Sequence, residues 1–555
     1  MNLRSRLHIS RDKTVTVANL VDKLLLHNGD YEGGVETDGT PWRLSTLHEK
    51  ITAIDSFLRI SIGLRPGQPV AIYRTNDRSC FHWFLGIIRA GGIAVPLNPQ
   101  LSLAEVRRIL ATSGTEILIT DRAVFDRTIQ ARTVLDIPTC IQAEDDPSIP
   151  TLDGFIRAEF DPVSPTFPPV VVLSSATVAV FHTSGTSGFP KGAALSSRAL
   201  MGARSSTVFA GLIFSPKDLA LIALPWSHIM AVSIALYGLM AGLRGCVLEK
   251  FEVPSVLEIV ERLKISTVVG VPAMFARLVN SNPDPARLAS VRVWLSASDY
   301  LPPEVRQRLR AFGALLRLPG SRRIPPVLLN GYGMVELGGL AMMGIELSFL
   351  PGSGDLCFPV PPFKIRVAGE DGRPMRAGAT GECQIRRRGI SPHYWKDEAS
   401  ACNTQNSVQK NGEAPHLALL TPDGWLRTGD LATRNRFGLI RLVGRTKDVI
   451  KSGGYSVYVR ELDEALAAHP AVARAAAFGL PHPEKGEMPV AAVELHPGFS
   501  ATETDLLDFC RQNLAAYKSP RHIWIIAPGT LPQNHNGKFV RATLQKRFST
   551  ETLAS

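Results

Sequence analysis

The sequence predicts an α/β protein. A large N-terminal domain of several subdomains, with parallel sheets and a small antiparallel unit, precedes a small α+β C-terminal domain. Three observations predict this. Apolar runs of strand length alternate with helix-patterned segments through roughly the first 300 residues. From about Gly352 the runs shorten and are separated by turn chemistry. After Lys447 a compact mixture of strand and helix patterns begins afresh. At 555 residues the chain is too long for one ordinary core, so more than one domain is expected.

The elements follow in order. "QPVAIYR" reads as a buried strand, "SCFHWFLGIIRAG" as a helix and "IAVPLN" as a strand. "SLAEVRRILATSG" has helical spacing behind a serine N-cap, and "TEILITD" returns to a strand. The same rhythm recurs in "LALIALP", "GCVLEKF", "ISTVVGV" and "VRVWLSA". "FKIRVAG", "GECQIRRRG" and "GLIRLVGR" form the antiparallel unit, joined by "EDGRP", "AGATG" and "NRFG". "SACNTQNSVQKNGEAP" is polar and reads as an exposed loop. The last hundred or so residues read as helix in "ELDEALAAHP", strands in "VARAAAFGLP" and "MPVAAVELHP", helix in "ETDLLDFCRQNL" and strand in "HIWIIA".

Composition excludes several classes. A hydrophobic share of 45% and a charged share of 20% are those of a soluble globular protein. No apolar run reaches the roughly 18 residues of a membrane span. The opening "MNLRSRLHISRDKTVTVANL" lacks a secretory h-region and reads as a solvated tail, and "TLAS" is not a peroxisomal ending. The seven cysteines form no C-x-x-C pair, so reduced thiols in a cytoplasmic protein are expected. The net charge of +11 raises nucleic-acid binding, but basic residues are scattered, with short clusters at Arg322-Arg323 and Arg386-Arg387-Arg388. A basic surface that attracts small polyanions is the better reading, with no nucleic-acid partner.

One stretch carries chemistry. The apolar "SATVAVF" runs into "HTSGTSGFPKG", a strand leading to a loop of glycines and hydroxylated residues with a lysine near its end. Successive backbone N–H groups in such a loop form an anion-binding concavity, glycines admit the ligand close to the backbone, and hydroxyls add donors. Thr183, Ser184, Gly185, Thr186, Ser187 and Gly188 supply those groups, and Lys191 adds a mobile positive charge. It is not a Walker A loop, because Lys191 is followed by Gly192 rather than by serine or threonine.

This stretch resembles the phosphate loop of the adenylate-forming superfamily, which includes acyl-CoA synthetases, peptide-synthetase adenylation domains and luciferases. "LPWSHIM", "NGYGMVELGG", "GWLRTGDL" with "LVGRTKDVIKSGGY", and "LPQNHNGKFVR" follow in the family's order, and "GLRPGQPVAIYRTND" and "RAGGIAVPLNPQLS" resemble its opening subdomain. The likeness covers nearly the whole chain. It implies ATP, Mg2+ and coenzyme A as cofactors and co-substrates, and a carboxylic acid as substrate. It also implies two domains, 1–446 with the nucleotide and acyl pockets and 447–555 as a mobile domain, hinged at Lys447.

The chemistry sets its own demands. Attack of a carboxylate oxygen on the α-phosphorus of ATP expels pyrophosphate and leaves an acyl-AMP. Both reactants are anions, so fixed dipoles and cations must offset their repulsion and hold them in line. By resemblance, Asn330 meets the adenine edge, Tyr332 stacks on the ring between Gly331 and Gly333, and Glu336 holds Mg2+. Asp430 accepts from both ribose hydroxyls with Arg445 beside it, Lys538 reaches the carboxylate and α-phosphate, and His228 gates the acyl pocket. Gly453 and Gly454 let a pantetheine arm pass.

Several positions depart from the family pattern. Val335 replaces a threonine that contacts the α-phosphate, Ala297-Ser298 replaces a pair of glycines, and Tyr455-Ser456 replaces Glu-Asn. No aspartate falls in "LPWSHIMAVSIALYG" where amino-acid-activating relatives anchor an ammonium, which disfavours an amino acid. Met230, Ala231, Gly338 and Gly339 suggest an apolar pocket for a fatty or aryl acid. CoA is the expected acceptor, since no carrier domain follows. The rivals are a ligase loading a separate acyl carrier protein, a nucleotide-binding relative without turnover and, last, a nucleic-acid binder.

Overall fold

The computed structural model describes residues 3–128, 137–144, 146, 148–160, 165–183, 191–202, 204–215, 217–317, 323–346, 355–387, 393–395, 420–452, 455–482, 486–515, 517–533 and 539–552. By contacts the chain forms two compact units, Met1–Lys364 with Arg386–Leu426, and Ile365–Ile385 with Arg427–Ser555.

The first unit holds two large sheets. In the first, neighbouring strands are His393–Tyr394, Lys191–Ser196, Thr177–Thr183, Ile93–Pro96, Pro69–Tyr73, Ile117–Thr120, Thr139–Gln142 and Ile156–Arg157. The six from Thr177–Thr183 onward run parallel to one another, whereas Lys191–Ser196 runs antiparallel to both of its neighbours. In the second sheet the order runs Cys357–Pro359, Gly339–Glu346, Val327–Met334, Val293–Ala297, Thr267–Gly270, Leu219–Ile222, Arg244–Val247, Glu32–Val35 and Pro41–Arg43. Its centre is parallel and both of its ends are antiparallel.

Helices cover these sheets because their apolar faces must be buried somewhere. Leu47 and Ile51 of the helix Leu44–Ile60, Phe84 and Ile88 of Arg78–Arg89 and Leu236 of Ile229–Ala241 share one core with Val70 and Ile119 of the first sheet and Ile222 and Val269 of the second. The opposite faces have their own cores, with Val106 and Ile109 over the first sheet and Val256, Val260 and Phe275 over the second. Helix starts follow the capping signals. The Ser102 hydroxyl accepts from the Glu105 N–H, the Glu105 carboxylate accepts from the Ser102 N–H at 2.8 Å, and Asp77 accepts from the Cys80 N–H.

The second unit comprises the strands Lys364–Ala368, Thr380–Arg386, Leu426–Arg434 and Ile440–Arg445 as neighbours in that order, the last two antiparallel, and a sheet of five. In the latter, Tyr455–Tyr458, Val449–Ser452, Gly486–Leu495 and Val472–His482 lie side by side, with Ile523–Ile526 parallel to Gly486–Leu495. The mixed α/β class, with a large sheet-rich N-terminal domain and a smaller C-terminal one, is as the sequence predicts. The six described cysteines are buried, and none of them is in a disulfide. Among the described residues no helix is long and apolar enough to cross a membrane.

The N-terminus corrects one expectation. Residues 1–20 are not a solvated tail: Leu3–Arg11 is a helix, Ile9, Val15 and Val17 are buried in the shared core, and the helix Leu20–Asn28 starts at the end of the stretch. The segment looked polar because its apolar residues are spread thinly through basic ones, and even the Arg6 side chain is buried. The polar stretch at 400–415 lies outside the described residues.

His82 offers a test of this core. It is buried in the helix Arg78–Arg89, and burial, then the charges of Arg78, Lys50 and Arg74, push its imidazole down to about 3. The unfolded chain therefore binds a proton near pH 6.5 that the folded chain refuses. The contribution of His82 to stability is complete above pH 6.5 and is lost towards pH 3, by about 1.4 kcal/mol per pH unit. Urea midpoints for His82→Leu are expected to fall less steeply over that window than those of the unsubstituted chain.

Candidate functional site

The strands Thr177–Thr183 and Lys191–Ser196 form a hairpin whose last pairs are His182 with Gly192 and Thr183 with Lys191. The register closes the stems of the loop and starts Lys191 at a fixed point. Across Lys191–Ser196 lies the two-residue strand His393–Tyr394, with Tyr394 opposite Ala193 and the Trp395 N–H donating to Gly192 O at 2.7 Å. The Trp395 indole N–H donates in turn to Ser113 O at 2.9 Å, which anchors this short strand to the helix Leu103–Ser113.

Tyr394 joins the two halves of the site. Its hydroxyl donates to Glu336 Oε1 at 2.9 Å, and Lys191 Nζ lies 5.2 Å from the centre of its ring. Glu336 is only 7% exposed, so its carboxylate needs such a partner. The cluster holds a hydroxyl, an ammonium and a carboxylate beside the mouth of the hairpin.

Glu336 owes its place to an irregular stretch of chain. The strand Val327–Met334 pairs with Val293–Ala297 on one side, Asn330 opposite Ser296, and with Gly339–Glu346 on the other. A register shift falls between Tyr332 and Gly333, and the short helical turn Val335–Leu337 follows. At Gly333 a Cβ would stand 2.0 Å from Gly339 O, so only glycine lets the strands meet there. Gly338 ends the turn at φ +77°, and the Ser233 hydroxyl donates to its carbonyl at 2.9 Å. Asn330 and Tyr332 are half-buried on the strand leading to Glu336.

Other residues sit around this frame. His228 is the N-cap of Ile229–Ala241, half-buried. Val335 packs against the margin of the shared core, as does Met230, and Ala231 is wholly inside it, so Ala231 belongs to the core rather than to a pocket wall. Ser298 takes φ +77° and its hydroxyl lies 3.5 Å from Met230 Sδ.

In the second unit Asp430 faces Arg445 across a strand pair, with Arg445 Nε 3.3 Å from Asp430 Oδ1. The Thr428 hydroxyl accepts from the Asp430 N–H at 3.0 Å and donates to Cys383 O at 2.6 Å, which ties the turn down. Lys447 belongs to the turn Thr446–Asp448, next to the hairpin Val449–Ser452 and Tyr455–Tyr458. Ser184, Gly185, Thr186, Ser187, Gly188, Gly453, Gly454 and Lys538 lie outside the described residues, as do the side chains of Thr183 and Lys447.

With this geometry in view, the sequence pattern of the AMP-binding enzyme family matches residues 32–395, and that of its C-terminal domain matches 461–538. The chain belongs to the AMP-binding enzymes of the adenylate-forming superfamily. This AMP-binding enzyme is 31% identical to a sulfoacetate–CoA ligase of Cupriavidus necator over 87% of its own length and 88% of the relative's. It is 27% identical to a feruloyl-CoA synthase of an Amycolatopsis species, over 93% and 95%. Its fold is similar to that of the anthranilate CoA ligase AuaEII in complex with anthranoyl-AMP, at a TM-score of 0.78, 20% identity and full coverage of both chains. It is likewise similar to ATP-bound MatB from Rhodopseudomonas palustris, at a TM-score of 0.77 and 23% identity over 96% and 99%.

Two residues of this AMP-binding enzyme escaped sequence reasoning. Tyr394 sits in "SPHYWKDE", which has no motif; only strand pairing brings it to Glu336. His182 was read as part of the loop without a role. Burial pushes its imidazole down to about 4, and its Nδ1 is shielded without a hydrogen-bond partner among the described residues. Its signal was a polar residue ending an apolar strand.

The approach at Gly338 can be tested. A Cβ there would stand 2.4 Å from Ala199 O, in a left-handed conformation that favours glycine. Gly338→Ala is expected to cost about 2–4 kcal/mol in urea denaturation, the sum of backbone strain and displacement of the helix Ser197–Leu200.

Proposed function

We propose that the chain is an ATP-dependent acyl-CoA synthetase. It condenses a fatty or aryl carboxylic acid with MgATP to an acyl-AMP and pyrophosphate, then passes the acyl group to the thiol of coenzyme A. The observation that carries this reading is the junction of Lys191, Tyr394 and Glu336 at the mouth of the hairpin. It sets a cation and a carboxylate where an anionic ligand and its metal would meet. The family and its CoA-ligase relatives support the same chemistry.

Each residue has a task in that reaction. The backbone N–H groups and hydroxyls of Thr183 to Gly188, with Lys191, take the β- and γ-phosphates and balance the charge of departing pyrophosphate. Asn330 meets the adenine amino edge, Tyr332 stacks on the base, and Gly331 and Gly333 leave room for it. Asp430, oriented by Arg445 at 3.3 Å, accepts from the ribose hydroxyls. Lys538 neutralises the carboxylate and α-phosphate as they meet, and His228 screens the acyl pocket from the nucleotide.

Glu336 fits Mg2+. It offers a hard oxygen, and the one hydrogen bond described for it occupies Oε1 alone. When bound, the ion supplies Lewis-acid polarisation of phosphate oxygens. For the second step the domain 447–555 turns about Lys447, withdraws Lys538 and presents Gly453 and Gly454 to the pantetheine arm. A rival acceptor is an acyl carrier protein.

Exchange of pyrophosphate into ATP that depends on added acid tests the first step, and a thioester assay with CoA or carrier protein tests the second. A panel of fatty, aryl and short polar acids, sulfoacetate among them, fixes the substrate. Absence of acid-dependent exchange with the whole panel would overturn the reading. Lys538→Ala is expected to lower acyl-AMP formation by about 100-fold or more with the fold intact, as for other single stabilisers of transition-state charge. Tyr394→Phe removes a hydrogen bond to a carboxylate, worth about 1.5–3 kcal/mol. Its Mg2+ concentration for half-maximal exchange is expected to shift about tenfold, while KM for the acid stays unchanged.

A further inference from the structure

Away from the hairpin, the ends of the first two helices bring together side chains of a different kind. His8 lies in the last turn of Leu3–Arg11, and Asp12 follows that helix with its N–H donating to His8 O at 2.9 Å. The spacing of four places both on one face. His27 lies in the last turn of Leu20–Asn28, whose end is closed by the Gly29 N–H on Leu25 O. The His8 and His27 ring centres are 3.9 Å apart at 48°, and one ligand atom from each of His8, Asp12 and His27 lies within 4.8 Å of the others.

We propose that His8, Asp12 and His27 form a binding site for a divalent transition-metal ion of the Zn2+ type, bracing the first two helices. Two imidazoles and one carboxylate are a donor set such ions favour. Zinc-bound nitrogens and oxygens sit roughly 3.3 Å apart, as follows from bond lengths near 2.1 Å, so closure needs only side-chain rotation of about an ångström. Both helices point their C-terminal ends at this place, and the partial negative charge there favours a cation. Asp12 Oδ1 is held by the Thr14 N–H at 2.8 Å and hydroxyl at 2.7 Å, an outer support of the sort that orients ligating carboxylates.

A second observation points to a ligand. His27 Nε2 is shielded from solvent with no hydrogen-bond partner among the described residues, and the same holds for both polar side-chain atoms of the adjacent Asn28. A shielded polar atom left without a partner is costly, and a metal would satisfy the imidazole. The opposing term is Lys23, whose ammonium lies 3.4 Å from Asp12 Oδ2. That ammonium already serves as the cation of the cluster, on a flexible stem that can swing away.

The test uses untagged full-length protein, without nucleotide, titrated with Zn2+ by calorimetry and with Co2+ by visible absorption. One equivalent of Zn2+ is expected to bind at micromolar or lower concentration and to raise the thermal midpoint. His8→Ala and His27→Gln are each expected to weaken binding at least tenfold with unchanged far-ultraviolet circular dichroism, and Lys23→Gln to tighten it. Because His8 is exposed, its variant keeps the test valid if His27→Gln fails to fold. Binding only at millimolar Zn2+, wild-type affinity in His8→Ala, or a thiolate charge-transfer band with Co2+ would each overturn the proposal.

Discussion

Everything at the candidate site depends on how the strand Lys191–Ser196 is held. It runs antiparallel to Thr177–Thr183 on one side and to His393–Tyr394 on the other. The first pairing closes the loop stems; the second delivers the phenol to Glu336. Neither would suffice alone. Ordering any segment around a ligand costs entropy, and fixed ends limit that cost. A carboxylate as buried as Glu336 is tolerable only with a donor beside it, and Tyr394 is that donor. Backbone ladders, rigid and cheap to maintain, thus set the geometry of charged groups that would otherwise repel or wander.

The parallel architecture explains why these groups collect where they do. Parallel strands leave the ends of the sheet as the place where chain reversals and helix starts gather. The loop stems follow the strand Thr177–Thr183, and Glu336 follows Val327–Met334, which is parallel to Val293–Ala297. Both motifs therefore extend from the same kind of strand end. His228 is placed by a related device, capping the helix that packs between the two sheets.

Local signals were the ones legible in the sequence. The serine N-cap at Ser102 and the buried strand 69–73 each depend on residues a few positions apart, so their patterns survive in one dimension. The adenylate-forming motifs were legible for the same reason, each being a short run on one turn. Tyr394 was not, because its role arises from pairing with a strand some 200 residues earlier. The N-terminal helices misled for another reason. In Leu3–Arg11 burial rests on isolated residues such as Ile9, set among basic ones that periodicity weighs as solvated. The paired Asp430 and Arg445 stand between these cases, since both were named by resemblance and a two-strand register places them face to face.

The departures from the family pattern bear on whether turnover survives. Val335 stands where a hydroxyl is usual, yet it is not an idle replacement: it packs at the margin of the core that Met230 also borders. Ser298 accepts a left-handed backbone where glycine would be unstrained, and its hydroxyl faces the Met230 sulfur. Strain at a non-glycine residue persists only where its surroundings over-determine it. Val335 thus departs from the pattern in a half-buried position against the core and Ser298 in an exposed one, whereas a decaying site loses its costly contacts first. The buried carboxylate of Glu336 beside its tyrosine donor is a costly contact of this chain, and it is in place. That contact supports the acyl-CoA synthetase proposed above over a nucleotide binder without turnover.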